Sequence, residues 1–260
     1  MLSVYAAVPG GPAYLARNPD HPHYAASTMK VAVLAALHRS GLDLDAKVPL
    51  RNAFPSALPG APDYAIPPDL EVDAETWALL GRRVSLRRLA RQMIAHSSDL
   101  ATNTLLAHIG IDAVDEIWRL AGAGHSTTRR GIEDAAARAA GITNLVTAAD
   151  LVRLLCWLPR PVLGELAHNR HRVDLAAGLP PGTRIAFKNG WITGVRHSAA
   201  VVLPEDAPPY ALAVCYTGPL ASGHAVADPA ARVLARVSAR VWSLRHTGRS
   251  ASGVGEPATG

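Results

Sequence analysis

Cysteine is scarce: the chain has two in 260 residues, Cys156 in LVRLLCWL and Cys215 in YALAVCYTG. Both sit in apolar surroundings, which predicts buried free thiols; a disulfide between them is open but not indicated. No Cys/His cluster has the spacing of metal ligands, so neither a metal nor a cofactor is expected. Charge is also sparse, at 18% of residues against 49% hydrophobic, which excludes disordered and collagen-like classes. No apolar run approaches the length of a membrane span. The start, MLSVYAAVPGG, lacks the basic segment and apolar stretch of a signal peptide. A cytoplasmic protein is therefore expected, or a secreted one if a leader has been removed.

The formal charge of +5 comes mostly from arginines spread along helical stretches, such as Arg82, Arg83, Arg87, Arg88 and Arg91. A basic protein is drawn to anionic surfaces or substrates. Without a zinc spacing, a glycine-rich RNA motif or a basic block of residues, nucleic acid is a weak reading. A monomer acting on a small molecule, with no membrane and no nucleic-acid partner, is the expectation.

Along the chain, LSVYAAV and AYLAR flank Gly10, Gly11 and Pro12 and predict a hairpin. A helix is predicted from about Ser27 to Leu37. Residues 48–69 carry Pro49, Pro55, Pro59, Pro62, Pro67 and Pro68, too many for regular structure, and predict a long surface connection. From Asp73 to about Ala121 the apolar spacing is helical. A short helix follows within GIEDAAARAAGITN, closed by Gly141. Another spans 147–158, with Thr147 as its cap and Pro159 and Pro161 as its stop. The period then changes to two, predicting three consecutive strands in GTRIAFKNG, RHSAAVVLP and PYALAVCYTG. A basic amphipathic helix, PAARVLARVSARVWSL, closes the chain. The layout is α+β: terminal segments build one antiparallel sheet, and a helical subdomain, about residues 40–180, is inserted between them. Residues 1–246 are expected to form one domain, and 247–260 a disordered tail.

Chemistry-bearing residues fall in three places. Ser27-Thr28-Met29-Lys30 puts a hydroxyl and an amine one helical turn apart, on one face. Ser97-Ser98-Asp99 stands at the junction of two helical stretches. Lys188-Asn189-Gly190 lies in a strand pattern. A serine hydroxyl is a poor nucleophile unless a neighbouring base takes its proton, and Lys30 is placed to do so. Each piece alone is common. In this order, they resemble the Ser-x-x-Lys, Ser-Asp-Asn and Lys-Thr-Gly motifs of the penicillin-recognising serine hydrolases, most closely the class A β-lactamases. The resemblance runs from the first strand to the last helix.

That resemblance implies a β-lactamase/transpeptidase-like fold and catalysis through an acyl-enzyme on Ser27. Lys30 and Ser97 would move the proton, and Lys188 would attract a substrate carboxylate. Backbone N–H groups of Ser27 and Trp191 would form the oxyanion hole. Arg196 offers a second carboxylate anchor through its bidentate fork. The substrate would carry a carboxylate and an amide or ester, in the first instance a β-lactam.

Three departures from the family pattern stand out. Asp99 replaces the usual asparagine, and a carboxylate accepts hydrogen bonds but does not donate them; an ionised Asp99 would pull on Lys30. Asn189 replaces the usual threonine or serine, leaving an amide to donate in place of a hydroxyl. For the glutamate that activates the deacylating water, the best match is Glu133. Here, however, Gly131 and Asp134 stand in place of the flanking arginine and proline. A solvated charge on a helix is an equal reading of Glu133. Asn103, four residues after Asp99, matches a family asparagine that helps hold that glutamate. These departures leave two alternatives beside the β-lactamase: an esterase, peptidase or tailoring enzyme of natural-product biosynthesis, and a non-catalytic protein that binds a β-lactam or peptide. His197 reads as structural, and Tyr64 as a residue bordering the cleft or filling the interior.

Overall fold

The structure, a computed structural model, describes residues 1–223 and 225–246; the expected tail, 247–260, lies outside the described residues. Strands β1 (Leu2–Ala7) and β2 (Ala13–Arg17) form the expected hairpin, its turn closed by Gly10 at φ 77°. A two-residue strand, β3 (His23–Tyr24), leads into a 3₁₀ turn over Ala26–Met29 and then α1 (Lys30–Arg39). The helix thus begins three residues later than the sequence predicts. Ser27 caps neither segment, since no side chain bonds at the head of the 3₁₀ turn or of α1.

The middle of the chain is mostly helical. In order come β4 (Lys47–Pro49), α2 (Ala74–Trp77), β5 (Arg83–Ser85), α3 (Leu86–Ala95), α4 (Asp99–Ile109), α5 (Ile111–Leu120) and α6 (Ala135–Ala139). Then follow β6 (Leu145–Val146), α7 (Ala148–Trp157) and α8 (Arg160–Glu165). Local chemistry sets the boundaries. Ser85, Ser98 and Thr147 each accept a backbone N–H with the side-chain oxygen and so cap α3, α4 and α7. Pro159 ends α7 as expected and stands at the N-cap of α8. Pro161, also expected as a stop, instead lies within the first turn of α8, where a helix leaves the N–H that proline lacks free anyway. The proline-rich stretch keeps one isolated pairing, Phe54 with Tyr64.

Strands β7 (Arg184–Ile192), β8 (Val195–Leu203) and β9 (Tyr210–Thr217) follow as predicted, and α9 (Pro229–Ser243) is the last helix. They join the N-terminal hairpin in one antiparallel sheet of order β2-β1-β9-β8-β7. One core lies between this sheet and the helical layer, around α1, whose residues Lys30 to Leu37 are all buried. A second core lies between the other sheet face and α9. Because the sheet is covered on both faces, β8 and β9 are buried almost throughout instead of on alternate residues. The two cysteines differ. Cys215 is buried in β9, but Cys156 lies on the outer side of α7 and is exposed, contrary to expectation; both are free thiols. Among the described residues, no helix is long and apolar enough to cross a membrane.

Candidate active site

The turn before α1 is held from several sides. The Ala25 N–H donates to Asn144 O at 2.9 Å, the Thr28 hydroxyl donates to Ala25 O at 2.6 Å, and Asn144 Nδ2 reaches Met29 Sδ at 3.1 Å. On the sheet side, His197 Nδ1 accepts the Tyr216 N–H, so Nε2 carries the proton and donates to Tyr24 O at 2.9 Å. Burial pushes His197 down to about 4, so the ring is neutral at physiological pH. His197 is therefore structural, as expected, and it pins β3 against the sheet just ahead of Ser27.

Ser27 is half-buried, and strand β7 passes directly over its backbone. A Cβ at Gly190 would lie 2.6 Å from Ser27 N and 2.9 Å from Thr28 N, so only glycine permits this approach. Trp191, the next residue, is half-buried, with the ring edge-on to His171 at 5.6 Å and stacked over the Arg196 guanidinium at 4.5 Å.

Lys30, the first residue of α1, is completely buried. Its Nζ donates to Ser97 O at 2.6 Å, Ser97 Oγ at 3.1 Å and Asp99 Oδ1 at 2.6 Å. Those three bonds use all the protons of an ammonium. Lys188 reaches the same Ser97 Oγ from β7 at 3.0 Å and also donates to Asn189 O at 2.8 Å. Burial, and then the charge of Lys30, lower the pKa of Lys188 well below the ordinary lysine range. Ser97 therefore sits between two amines, as its place in the sequence suggested. Its backbone is left-handed at φ 60°, and Ala26, beside Ser27, is left-handed at φ 44°. Non-glycine residues are rare in this region, and such strain persists where the surrounding structure demands it, commonly at sites.

Two expected residues turn away from this cluster. Asn189 and Arg196 project from the opposite face of the sheet. Arg196 is fully buried. Nε donates to Asp174 Oδ1 at 2.7 Å, the Nη atoms donate to Ala225 O and Val226 O, and Asp228 lies 3.5 Å away. The guanidinium has no free edge for a substrate, which corrects its expected role as a carboxylate anchor. The Asn189 amide is likewise engaged, donating to Asp174 Oδ2 at 2.6 Å and accepting from Asn169 Nδ2 at 2.7 Å. It does not take over the donor role of the hydroxyl it replaces.

Glu133 also departs from expectation. It lies before α6 rather than within it, at φ 63°, and Asp134 caps that helix instead. Asn103 grips Ile132, donating from Nδ2 to Ile132 O and accepting the Ile132 N–H at Oδ1, each at 2.8 Å. The clamp expected to hold the glutamate thus holds an isoleucine one position earlier. The half-buried Glu133 carboxylate has its pKa raised, by burial first and then by the negative charge of Asp99. Gly131 is needed because a Cβ there would overlap the Tyr64 hydroxyl, which places Tyr64 under this loop as packing.

The beta-lactamase enzyme family matches residues 1–244. The chain belongs to that family. Solved relatives agree on the fold. A class A beta-lactamase from Mycobacterium abscessus superposes with a TM-score of 0.74 at 20% identity, covering 94% of each chain. A beta lactamase from Xanthomonas campestris pv. campestris gives 0.73 at 23% identity, over 94% of this chain and 91% of its own. PBP-A gives 0.73 at 20% identity, over 94% and 90%. No curated protein matches the chain. Within this β-lactamase-family fold, several residues that shape the site escaped the sequence reading: Asp174, Asn169, Asn144 and Glu71. Glu71 accepts the Leu100 N–H at 2.7 Å and so steadies the start of α4 beside Asp99. Each is an isolated polar residue in a loop, and nothing in the local sequence marks it.

Proposed function

We propose that the protein is a serine hydrolase that forms an acyl-enzyme on Ser27, with a β-lactam or a related amide or ester as substrate. The observation that carries this reading is the junction of Lys30, Ser97 and Lys188 beside a serine whose backbone N–H faces the bare Cα of Gly190. The Ser27 oxygen bonds to the carbonyl carbon, the carbon's bond to its leaving group breaks, and the serine proton ends on the departing atom. The carbonyl oxygen gathers charge that the Ser27 and Trp191 N–H groups stabilise in this reading. All three Lys30 donors are engaged, so Lys30 acts as a fixed positive charge in this scheme. Lys188 has two acceptors and a depressed pKa, which suits it to hold the travelling proton, passed through Ser97.

Deacylation by water is slow in this reading, because the position that Asn103 clamps is an isoleucine. The esterase, peptidase or tailoring reading draws its support from the same feature. Intact-protein mass after mixing with a reactive penicillin tests both steps. The expected result is a long-lived adduct that is absent in Ser27→Ala. An adduct that vanishes quickly with release of opened drug would overturn the slow step, and an adduct retained by Ser27→Ala would overturn the nucleophile.

A further inference from the structure

Asp99 is bound on one side only. Oδ1 accepts from Lys30 at 2.6 Å, whereas Oδ2 makes no hydrogen bond to any described residue, and 16% of the side chain is exposed. Glu133, the other carboxylate on this wall, has no hydrogen bond from another described residue. Burial raises its pKa and the charge of Asp99 adds to the rise; burial likewise raises the pKa of Glu71, with Asp99 a smaller contributor. Lys30 offsets the charge of Asp99 at Oδ1, and Arg130 and Arg138 act on Glu133, but none of them hydrogen-bonds to Oδ2. Lys188 is buried on Ser97, and Arg196 is closed within Asp174, Asp228 and backbone carbonyls. A substrate group reaching Oδ2 of Asp99 thus meets an acceptor-only carboxylate edge. A carbonyl oxygen there sets acceptor against acceptor, whereas an ammonium makes a charge-assisted hydrogen bond.

We infer that Asp99 is a specificity-determining residue that selects substrates bearing a protonated amine on the acyl portion retained by Ser27. The inference rests on the acyl-enzyme reading above. The amine belongs to the acyl portion because the leaving group must take its proton from Ser97 and so departs along the Lys188 side. Asp99 and Glu133 border the other wall, formed by the head of α4 and the 130–134 loop.

Benzylpenicillin and ampicillin differ by one amino group on the acyl side chain and form a matched pair of probes. Second-order rates of adduct formation are measured by intact mass at about pH 6, below the usual α-amino range of about 7.7–8.0. The expected result is faster acylation by ampicillin, on the order of tenfold to a hundredfold, the range of a hydrogen bond to a charged group. The ratio falls as pH rises through the titration of the amine and collapses in Asp99→Asn. The ratio is the readout because Asp99→Asn also alters Lys30 and therefore the rate with either drug. Equal rates in the unmodified protein, or a preference that survives Asp99→Asn, would overturn the inference alone. No adduct from either drug would overturn the acyl-enzyme reading for β-lactams and this inference with it.

Discussion

Lys188 and Asn189 are adjacent on β7, yet their side chains serve two different polar clusters. Lys188 points toward α1 and joins Ser97 and Lys30; Asn189 points the other way and joins Asp174, Asn169 and, through Asp174, Arg196. Both clusters are charged, but only the Arg196 cluster is closed to water, since Ser97 and Asp99 are partly exposed, and they differ in completeness. The Arg196 cluster balances its guanidinium against Asp174 and Asp228, and its donors end on defined acceptors. The Lys188 cluster brings two amines onto one hydroxyl with one carboxylate to offset them. A satisfied buried network stabilises and specifies structure, whereas an under-compensated one holds groups away from their resting protonation, which suits chemistry.

Lys188→Met should separate the two most sharply. Acylation should fall by about 10²–10⁴, the range for losing a proton-transfer group. Stability in urea should change little, because a buried, poorly compensated amine is removed. Arg196→Met should do the reverse: about 3–5 kcal/mol of unfolding free energy lost in urea, since Asp174 and Asp228 are left buried without their cation. If Arg196→Met unfolds no more readily than the parent, the structural reading of that cluster fails.

Acid should act through the histidines that support the Ser27 turn. Burial lowers His197 to about 4 and, with His197 and His21 as neighbouring charges, lowers His23 to about 3. The unfolded chain takes up these protons near the ordinary value of about 6.5, while the folded chain resists. Stability is therefore full above about 6.5 and declines as pH falls toward 4. His197 alone accounts for a loss on the order of 3 kcal/mol. Urea midpoints across this range check the slope, and His197→Gln should flatten part of it.

Gly190→Ala should lower acylation by about 10²-fold, the scale of a disturbed oxyanion site, because its Cβ would push Ser27 N from 2.6 Å. Its melting temperature should fall by about 2–4 °C, because the added Cβ meets backbone that must shift. The smallest effect is expected of Ile132→Glu, which puts a carboxylate on the residue whose backbone Asn103 clamps. The penicillin adduct should then turn over several-fold faster, on the modest end of general-base effects. An unchanged adduct lifetime would show that the clamp does not set deacylation.

Much of the fold was legible because it rests on local periodicity. Apolar segments bounded by turn residues marked β7 to β9, although β8 and β9 do not alternate as expected. Helical spacing marked the middle of the chain, and Ser85, Ser98 and Thr147 cap their helices through short-range bonds. The spacing of Ser27 to Lys30 and the order of the three motifs also sufficed to bring Lys30, Ser97, Asp99 and Lys188 together. Asn189 and Arg196 read as substrate ligands because their residue types suit anions, and residue type does not reveal which sheet face a strand presents to the site. Cys156 read as buried because its neighbours are apolar, yet it occupies the outer side of α7.

The sequence by itself therefore determined the element order, the family and the Lys30–Ser97–Lys188 cluster, since each depends on residues a few positions apart or on motif order. Only the tertiary structure decided which charges are free to act. Asp174 closes Arg196 from 22 residues away, and Asn103 clamps Ile132 across 29. A buried charge must find its partner in space, and that partner can come from anywhere along the chain.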